Sequence, residues 1–346
     1  LGKIGYIQAS GENLFETLML NLTLLKDGTE CWGENKPCWE LDTPKSAERT
    51  EILQPDNPAQ LLTLQSRRLL LHRENGKVDG FSLLGGDFFP RESAFVEQMT
   101  IWRNATTKKN EPPVFVPCRH DAAKQFWREF PSVFCKGEGN VHQPGVVRWV
   151  EKVQQLRFLS PKRRINFRIS AVQYGDKDFF VNDSFSDSLA FQAVLLDELG
   201  YGWQNRITEE ISRCEQAASL VGHLAQDIAT AAGDKNGNAS APARSQFYFA
   251  VDQPFRQWLR SIDPEEDDMT ETTARWQGIA RGIAEQLGQQ MVLEAGSAAL
   301  VGHRVKLDAG KKTERRELYT APKAYNRFRA GLYKLYPKTN DEGGTA

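Results

Sequence analysis

Seven apolar residues, Ile207, Ile211, Cys214, Ala218, Val221, Ala225 and Ile228, follow one another three or four positions apart. That spacing draws a stripe along one face of an α-helix. A helix of this length cannot cover its own stripe, so other helices must pack against it. Three candidates follow: "ARSQFYFAVDQPFRQWLRSI", "MTETTARWQGIARGIAEQLGQQMVLEAGSAALVG" and "APKAYNRFRAGLYKLYP". "GDKNGNASAP" separates the first helix from the second with glycine, asparagine and proline. Long helices with short connections predict a four-helix bundle over 201–346. "SDSLAFQAVLLDEL" reads as a helix connecting into it.

The first 200 residues follow a different grammar. "LFETLMLNLTLL", Leu14 to Leu25, has helical spacing, and "CWGENKPCWELDTP" reads as loop. "LLTLQSRRLLLHR" and "KVDGFSLLGGDFF" are extended runs joined at Asn75-Gly76, a strong short-range hairpin signal. "MTIWR" and "VFVP" are extended around the polar loop "TTKKNEPP". "DAAKQFWREFPSVF" and "GVVRWVEKVQQL" read as helices, and "KRRINFRISAVQY" as a strand. This predicts an α+β chain: an irregular mixed α/β domain over 1–200, followed by the bundle.

Length and charge narrow the function. A chain of 346 residues exceeds one ordinary core. Its 44 basic and 45 acidic residues describe a globular protein without the overall basic excess of a free-standing nucleic-acid binder. No apolar run is long enough to span a bilayer and no signal segment opens the chain, so a cytoplasmic protein is expected. The five scattered cysteines read as reduced thiols, and no CxxC pair suggests zinc. Leu1 enters directly into "LGKIGY", as expected of a sequence whose true N-terminus lies upstream.

Catalytic signatures are missing from the sequence. The five histidines are far apart, without HExxH or HxH spacing, and no nucleophile elbow, phosphate-binding loop or dinucleotide fingerprint occurs. His120-Asp121 is the one suggestive pair, and Asp121 capping the "DAAKQFW" helix accounts for it more cheaply. The acidic run Asp263–Glu271 reads as a solvated loop and helix N-terminus, where negative side chains complement the helix dipole. Neither an enzyme nor a cofactor or metal is expected.

Two basic regions stand out from the neutral total. Lys152, Arg157, Lys162, Arg163, Arg164 and Arg168 face only Glu151 in their segment, and from Arg304 to Lys338 basic residues outnumber acidic ones by eight. Such regions contact phosphates without reading sequence, or serve as ordinary solvated faces. "VQYGDKDFFV", Val172 to Val181, puts a glycine and three charges at the tip of an otherwise apolar and aromatic hairpin.

"GENLFETLMLNL", "PAQLLTLQSRRLLLHRENGKVDGFSLLGGD", "MTIWR", "VPCRHD", "ISAVQYGDKDFFVNDSFSDSL", "FRQWL" and "LYTAPKAYNRFRAGLYKL", in this order, resemble the large subunit of the type I-E CRISPR surveillance complex, CasA of Cascade. The resemblance covers nearly the whole chain. It implies a non-catalytic DNA gatekeeper that recognises the protospacer-adjacent motif from the minor groove and nucleates opening of the duplex for guide-RNA pairing. It further implies that the protein helps recruit a helicase-nuclease. The implied partners are the other Cascade subunits, the guide CRISPR RNA, double-stranded target DNA and that helicase-nuclease, with no membrane. A purely structural scaffold subunit that reads no DNA is the alternative.

The resemblance also implies the contacting residues. In the family a glutamine-bearing hairpin wedges beside the motif; matching "VQYGDKDFF" places that tip at Gly175, Asp176, Lys177 and Asp178, with no glutamine. Lys177 could donate to minor-groove acceptors or a phosphate, whereas Asp178 could accept only from a guanine amino group. Gly2, Lys3 and Gly5 resemble the end of a glycine-rich loop whose backbone approaches base edges closely. Lys108 or Lys109 in "TTKKN" is the candidate for a lysine reaching the minor groove.

Overall fold

The computed structural model describes residues 2–22, 37, 40, 67–85, 98–106, 111, 114–121, 123–136, 141–175, 181–234, 238–306 and 316–337. The chain divides into two compact units, Leu1–Asp197 and Glu198–Ala346.

Unit 1 is organised by a three-stranded antiparallel sheet in the order β1 (Gly2–Ser10), β7 (Arg164–Tyr174), β8 (Val181–Gln192). β7 alternates strictly, with Ile165, Phe167, Ile169 and Ala171 buried and Arg164, Arg168 and Val172 exposed. Period-two alternation sends one set of side chains to each face, so one side of the sheet is core and the other solvent. Ile7 and Ala9 from β1, and Leu189 and Phe191 from β8, complete the buried side.

A 3-10 turn, Phe126–Glu129, and α2 (Phe130–Phe134) cover that side. Phe134 lies 4.9 Å, centroid to centroid, from both Phe167 and Phe191, and 5.1 Å from Phe130. Edge-on and tilted aromatic packing of this kind adds to simple burial. α3 (Gly145–Gln155) contributes Val146, Val147 and Val150 to the same core. α1 (Leu14–Leu20) starts at Asn13, whose side chain accepts from the Glu16 amide at 2.9 Å. It ends at Asn21, which turns back to bond both the amide and the carbonyl of Ala9.

Two further sheets lie in this unit among the described residues. β2 (Arg67–Glu74) and β3 (Lys77–Gly85) form the hairpin expected at Asn75-Gly76, both with positive φ, so the turn chemistry is met. β4 (Trp102–Asn104) lies between β5 (Phe115–Pro117) and β6 (Val141–His142).

Unit 2 contains α4 (Tyr201–Ala231), α5 (Ser240–Ser261), α6 (Met269–Leu293) and α8 (Ala321–Leu335), a four-helix bundle. A short helix, α7 (Ser297–Val301), and the antiparallel pair β9 (His303–Lys306) and β10 (Arg316–Tyr319) separate α6 from α8. The expected α4 stripe is buried at Ile207, Ile211, Cys214, Ala218 and Val221. Trp258, Trp276 and Phe255 form an aromatic cluster with centroids 5.1–5.4 Å apart. α6 begins at Asp268, whose carboxylate accepts from the Glu271 amide.

Three expectations are corrected. "SDSLAFQAVLLDEL" is not a connecting helix: residues to Gln192 belong to β8, and Ala193–Leu196 and Glu198–Gly200 are 3-10 turns. Its apolar residues suit a helix locally, but pairing with β7 satisfies the backbone across the sheet. The long "MTETT…ALVG" helix breaks after Leu293, where Gly296 precedes a separate short turn of helix. "DAAKQFWREFPSVF" becomes helical only at Phe126, and Asp121 instead accepts from the Ala123 amide, closing a turn.

Candidate nucleic-acid interface

β7 and β8 continue past the buried part of the sheet as a largely exposed arm, which β1 accompanies as far as Gly2 opposite Gln173. Val181, Asn182, Asp183 and Ser184 are all exposed, and pairing persists to Tyr174 opposite Val181 after a bulge at Gln173/Tyr174. Bulges increase twist and re-aim the residues beyond them. Beyond Tyr174 and Gly175 the arm leads into the charged segment of the sequence. Gly175 stands at its base; Asp176, Lys177 and Asp178 lie outside the described residues.

The glycine segment joins the same place, though not as a loop. Gly2, Lys3 and Gly5 belong to β1, and Gly2 pairs opposite Gln173, two residues from Gly175. A register shift between Gly2 and Gly5 bends the strand there. Gly5 is buried, and a Cβ on it would stand 2.5 Å from Ile169 Cδ1 and 2.9 Å from Cγ1. Its missing side chain thus makes room for the core. Gly2 is the member of this set that reaches the arm.

The third element hangs from β1's other edge. The Ile7 amide donates to the Met99 carbonyl at 2.7 Å, Ile4 bridges Arg119, and Cys118 bonds back to Ile101. These segments lead into β4 and β5, whose connection is tied by Ala105 to Val114 and by the Thr106 hydroxyl to the Val114 amide. Lys108 and Lys109 lie outside the described residues. β1 thus pairs with β7, which leads to the charged segment, and bonds to Met99 and Arg119, which flank β4 and β5.

The other candidates dissolve into packing. His120 is buried and stacks on Phe185 at 4.8 Å, and burial pulls its pKa below the ordinary value. The carboxylates of Asp263 and Asp267 bind nearby backbone amides. No group of three or more potential ligands is gathered for a metal among the described residues, and no helix there is long and apolar enough to cross a membrane.

Part of each basic region is consumed internally. Arg163 pairs with Glu12 and, at 2.8 Å, with Glu16. On α8, Lys323 and Arg327 both bind Glu317, and Arg327 also pairs with Asp227. Arg329 lies over the rings of Tyr325 and Tyr333. Sequence reasoning missed the contribution of β8, although Ser184, Ser186 and Ser188 alternating with Phe185, Asp187 and Leu189 were a readable period-two signal.

Comparison with known proteins places this architecture. The CRISPR-associated protein Cse1 family matches residues 1–287. The crystal structure of Thermobifida fusca Cse1 is 30% identical, with a TM-score of 0.73 over 97% of this chain and 63% of that one. The Acidimicrobium ferrooxidans Cse1 structure (20% identity, TM-score 0.68, 97% and 65% covered) and that of Thermus thermophilus CasA (16%, 0.59, 96% and 64%) share the fold. No curated protein sequence matches. The chain spans less than two thirds of these relatives, and over that span it belongs to the Cse1 family of CRISPR-associated proteins.

Proposed function

We propose that this chain acts as the non-catalytic large subunit of a Cascade complex, reading the protospacer-adjacent motif in duplex DNA and starting its unwinding. The observation that carries the reading is the β7–β8 arm, exposed from Val181 to Ser184 and joined by Gly2 of β1 at Gln173, which leads into the charged tip sequence Asp176-Lys177-Asp178. Such a tip needs bulk and stiffness to part a base step, at a cost of about a few kcal/mol. The paired strands supply the stiffness. Lys177 donates to minor-groove acceptors or phosphate, and Lys108 or Lys109 adds a second cation. Base pairing with the guide CRISPR RNA reads the rest of the target, and a helicase-nuclease acts on the opened strand. The other Cascade subunits hold the assembly, in the cytoplasm, and supply the affinity that a near-neutral chain lacks.

The test is duplex binding to a guide-loaded complex containing this subunit, its Lys177→Ala or Asp178→Ala variant, or no subunit. Motif discrimination should depend on the subunit and fall by about 1–3 kcal/mol when a good base contact is lost. If discrimination survives removal of the subunit, the gatekeeper reading fails. Discrimination retained after neutralising Lys108, Lys109 and Lys177 together would leave the chain as a scaffold.

A further inference from the structure

The side of the β1–β7–β8 sheet that faces away from the core has an unusual charge inventory. It comprises the even-numbered residues from Tyr6 to Ser10, from Arg164 to Tyr174 and from Ser184 to Gln192, paired across the three strands. None is aspartate or glutamate, in a chain with 45 acidic residues. Two are arginines, five are serines, and most of the rest carry amide or phenol donors. The two aspartates of the β8 strand, Asp183 and Asp187, fall on the opposite side, Asp187 accepting from the Phe126 amide at 2.8 Å.

Neither arginine has a carboxylate opposite it in the ladder. Arg168 lies between Gln8 and Ser188 and donates from Nε to Ser186 Oγ at 2.8 Å; Arg164 lies opposite Gln192. An ordinary solvent face of a sheet gains from opposite-charge pairs across strands, and this one forgoes them. The face is open: Tyr6 is 48% and Tyr174 43% exposed, and Gln8, Arg164, Arg168, Ser184 and Ser186 are exposed as well. It runs unbroken along β7 to the base of the arm. The ten steps from Arg164 to Tyr174 span about 33 Å, close to the roughly 34 Å of one duplex turn.

Resting on the reading above, we propose that this carboxylate-free face carries the sugar-phosphate backbone of the duplex that the arm engages. Arginine and hydroxyl donors suit phosphate oxygens, and the absence of carboxylates removes repulsion along the whole track. The face adds affinity and orientation without sequence preference, while the tip reads and wedges. It also supplies local positive potential that the neutral total conceals.

The experiment measures duplex binding by the guide-loaded complex across a salt series. Arg164→Ala/Arg168→Ala should make the slope of log affinity against log salt shallower by about two, about one per lost phosphate contact, equally for correct and scrambled motifs. Arg164→Lys/Arg168→Lys should retain the slope. Ser186→Glu should lower affinity at least tenfold with an unchanged melting temperature. If the double alanine variant keeps the wild-type slope while Lys177→Ala still weakens motif discrimination, the backbone track is overturned and the wedge reading stands. A reduced slope with Lys177→Ala silent supports the track and sinks the wedge. If Ser186→Glu instead blocks incorporation into the complex, the face is a protein interface and the proposal fails.

Discussion

Gly5 offers a sharp test of why a glycine stands where it does. On the family resemblance its role is close approach to DNA; in the structure its missing Cβ leaves room for Ile169, which is 1% exposed. In Gly5→Ala the new methyl would meet Ile169 at 2.5 and 2.9 Å, so the core must give. Overpacking of this kind costs about 1–3 kcal/mol. Alanine also restricts the unfolded chain more than glycine, returning about 0.5–1 kcal/mol in a strand. The net loss is then about 0–2.5 kcal/mol, or a fall in melting temperature of up to roughly 10 °C for a unit of this size.

Ile169→Ala removes both clashing atoms and by itself costs about 2–5 kcal/mol. In that background the next neighbour, His120 Cβ, stands 3.5 Å away, an ordinary contact. Gly5→Ala should therefore change sign and stabilise. Thermal or urea unfolding of the four proteins, followed by tryptophan fluorescence, measures the coupling. Contacting residues couple by about 0.5–3 kcal/mol. Additivity within about 0.5 kcal/mol would refute the packing account and return Gly5 to a role in binding.

Other outcomes follow from the same physics. Phe134→Ala should cost about 3–5 kcal/mol by differential scanning calorimetry, because the ring is 2% exposed and packs on four phenylalanines; a cost below 1 kcal/mol would contradict that core. Asp268→Ala should cost about 1 kcal/mol by loss of the α6 cap, and Asp268→Asn only a few tenths. Glu210 is fully buried in the bundle, with Gln277 donating to it at 2.7 Å and Arg213 forming an ion pair with it at 3.2 Å. Burial, outweighing these partners, pushes its carboxyl above its ordinary 4.5. The folded state then binds the proton more tightly than the unfolded one, so stability falls as pH rises from 4.5 through the raised value and stays reduced above it. Unfolding curves of wild type and Glu210→Gln should accordingly diverge in the variant's favour as pH rises, and parallel profiles would exclude the effect.

Local chemistry made parts of this protein legible before any coordinates. The α4 stripe repeats every three or four residues, and Asn75-Gly76 supplies the two positive φ angles its turn requires, so each needs only its immediate neighbours. The tip residues were likewise recognisable by their contrast with flanking aromatic residues. Long-range pairing decided the rest. "SDSLAFQAVLLDEL" is compatible with helix until β7 offers a partner edge, and Gly5 looks like a loop residue until Ile169, 164 positions later in the chain, packs against it. The carboxylate-free face exists only once three strands from distant segments align their even-numbered residues. Helix and turn signals arise within a few residues, whereas strand identity, burial and surface charge depend on which distant segments a strand is paired with.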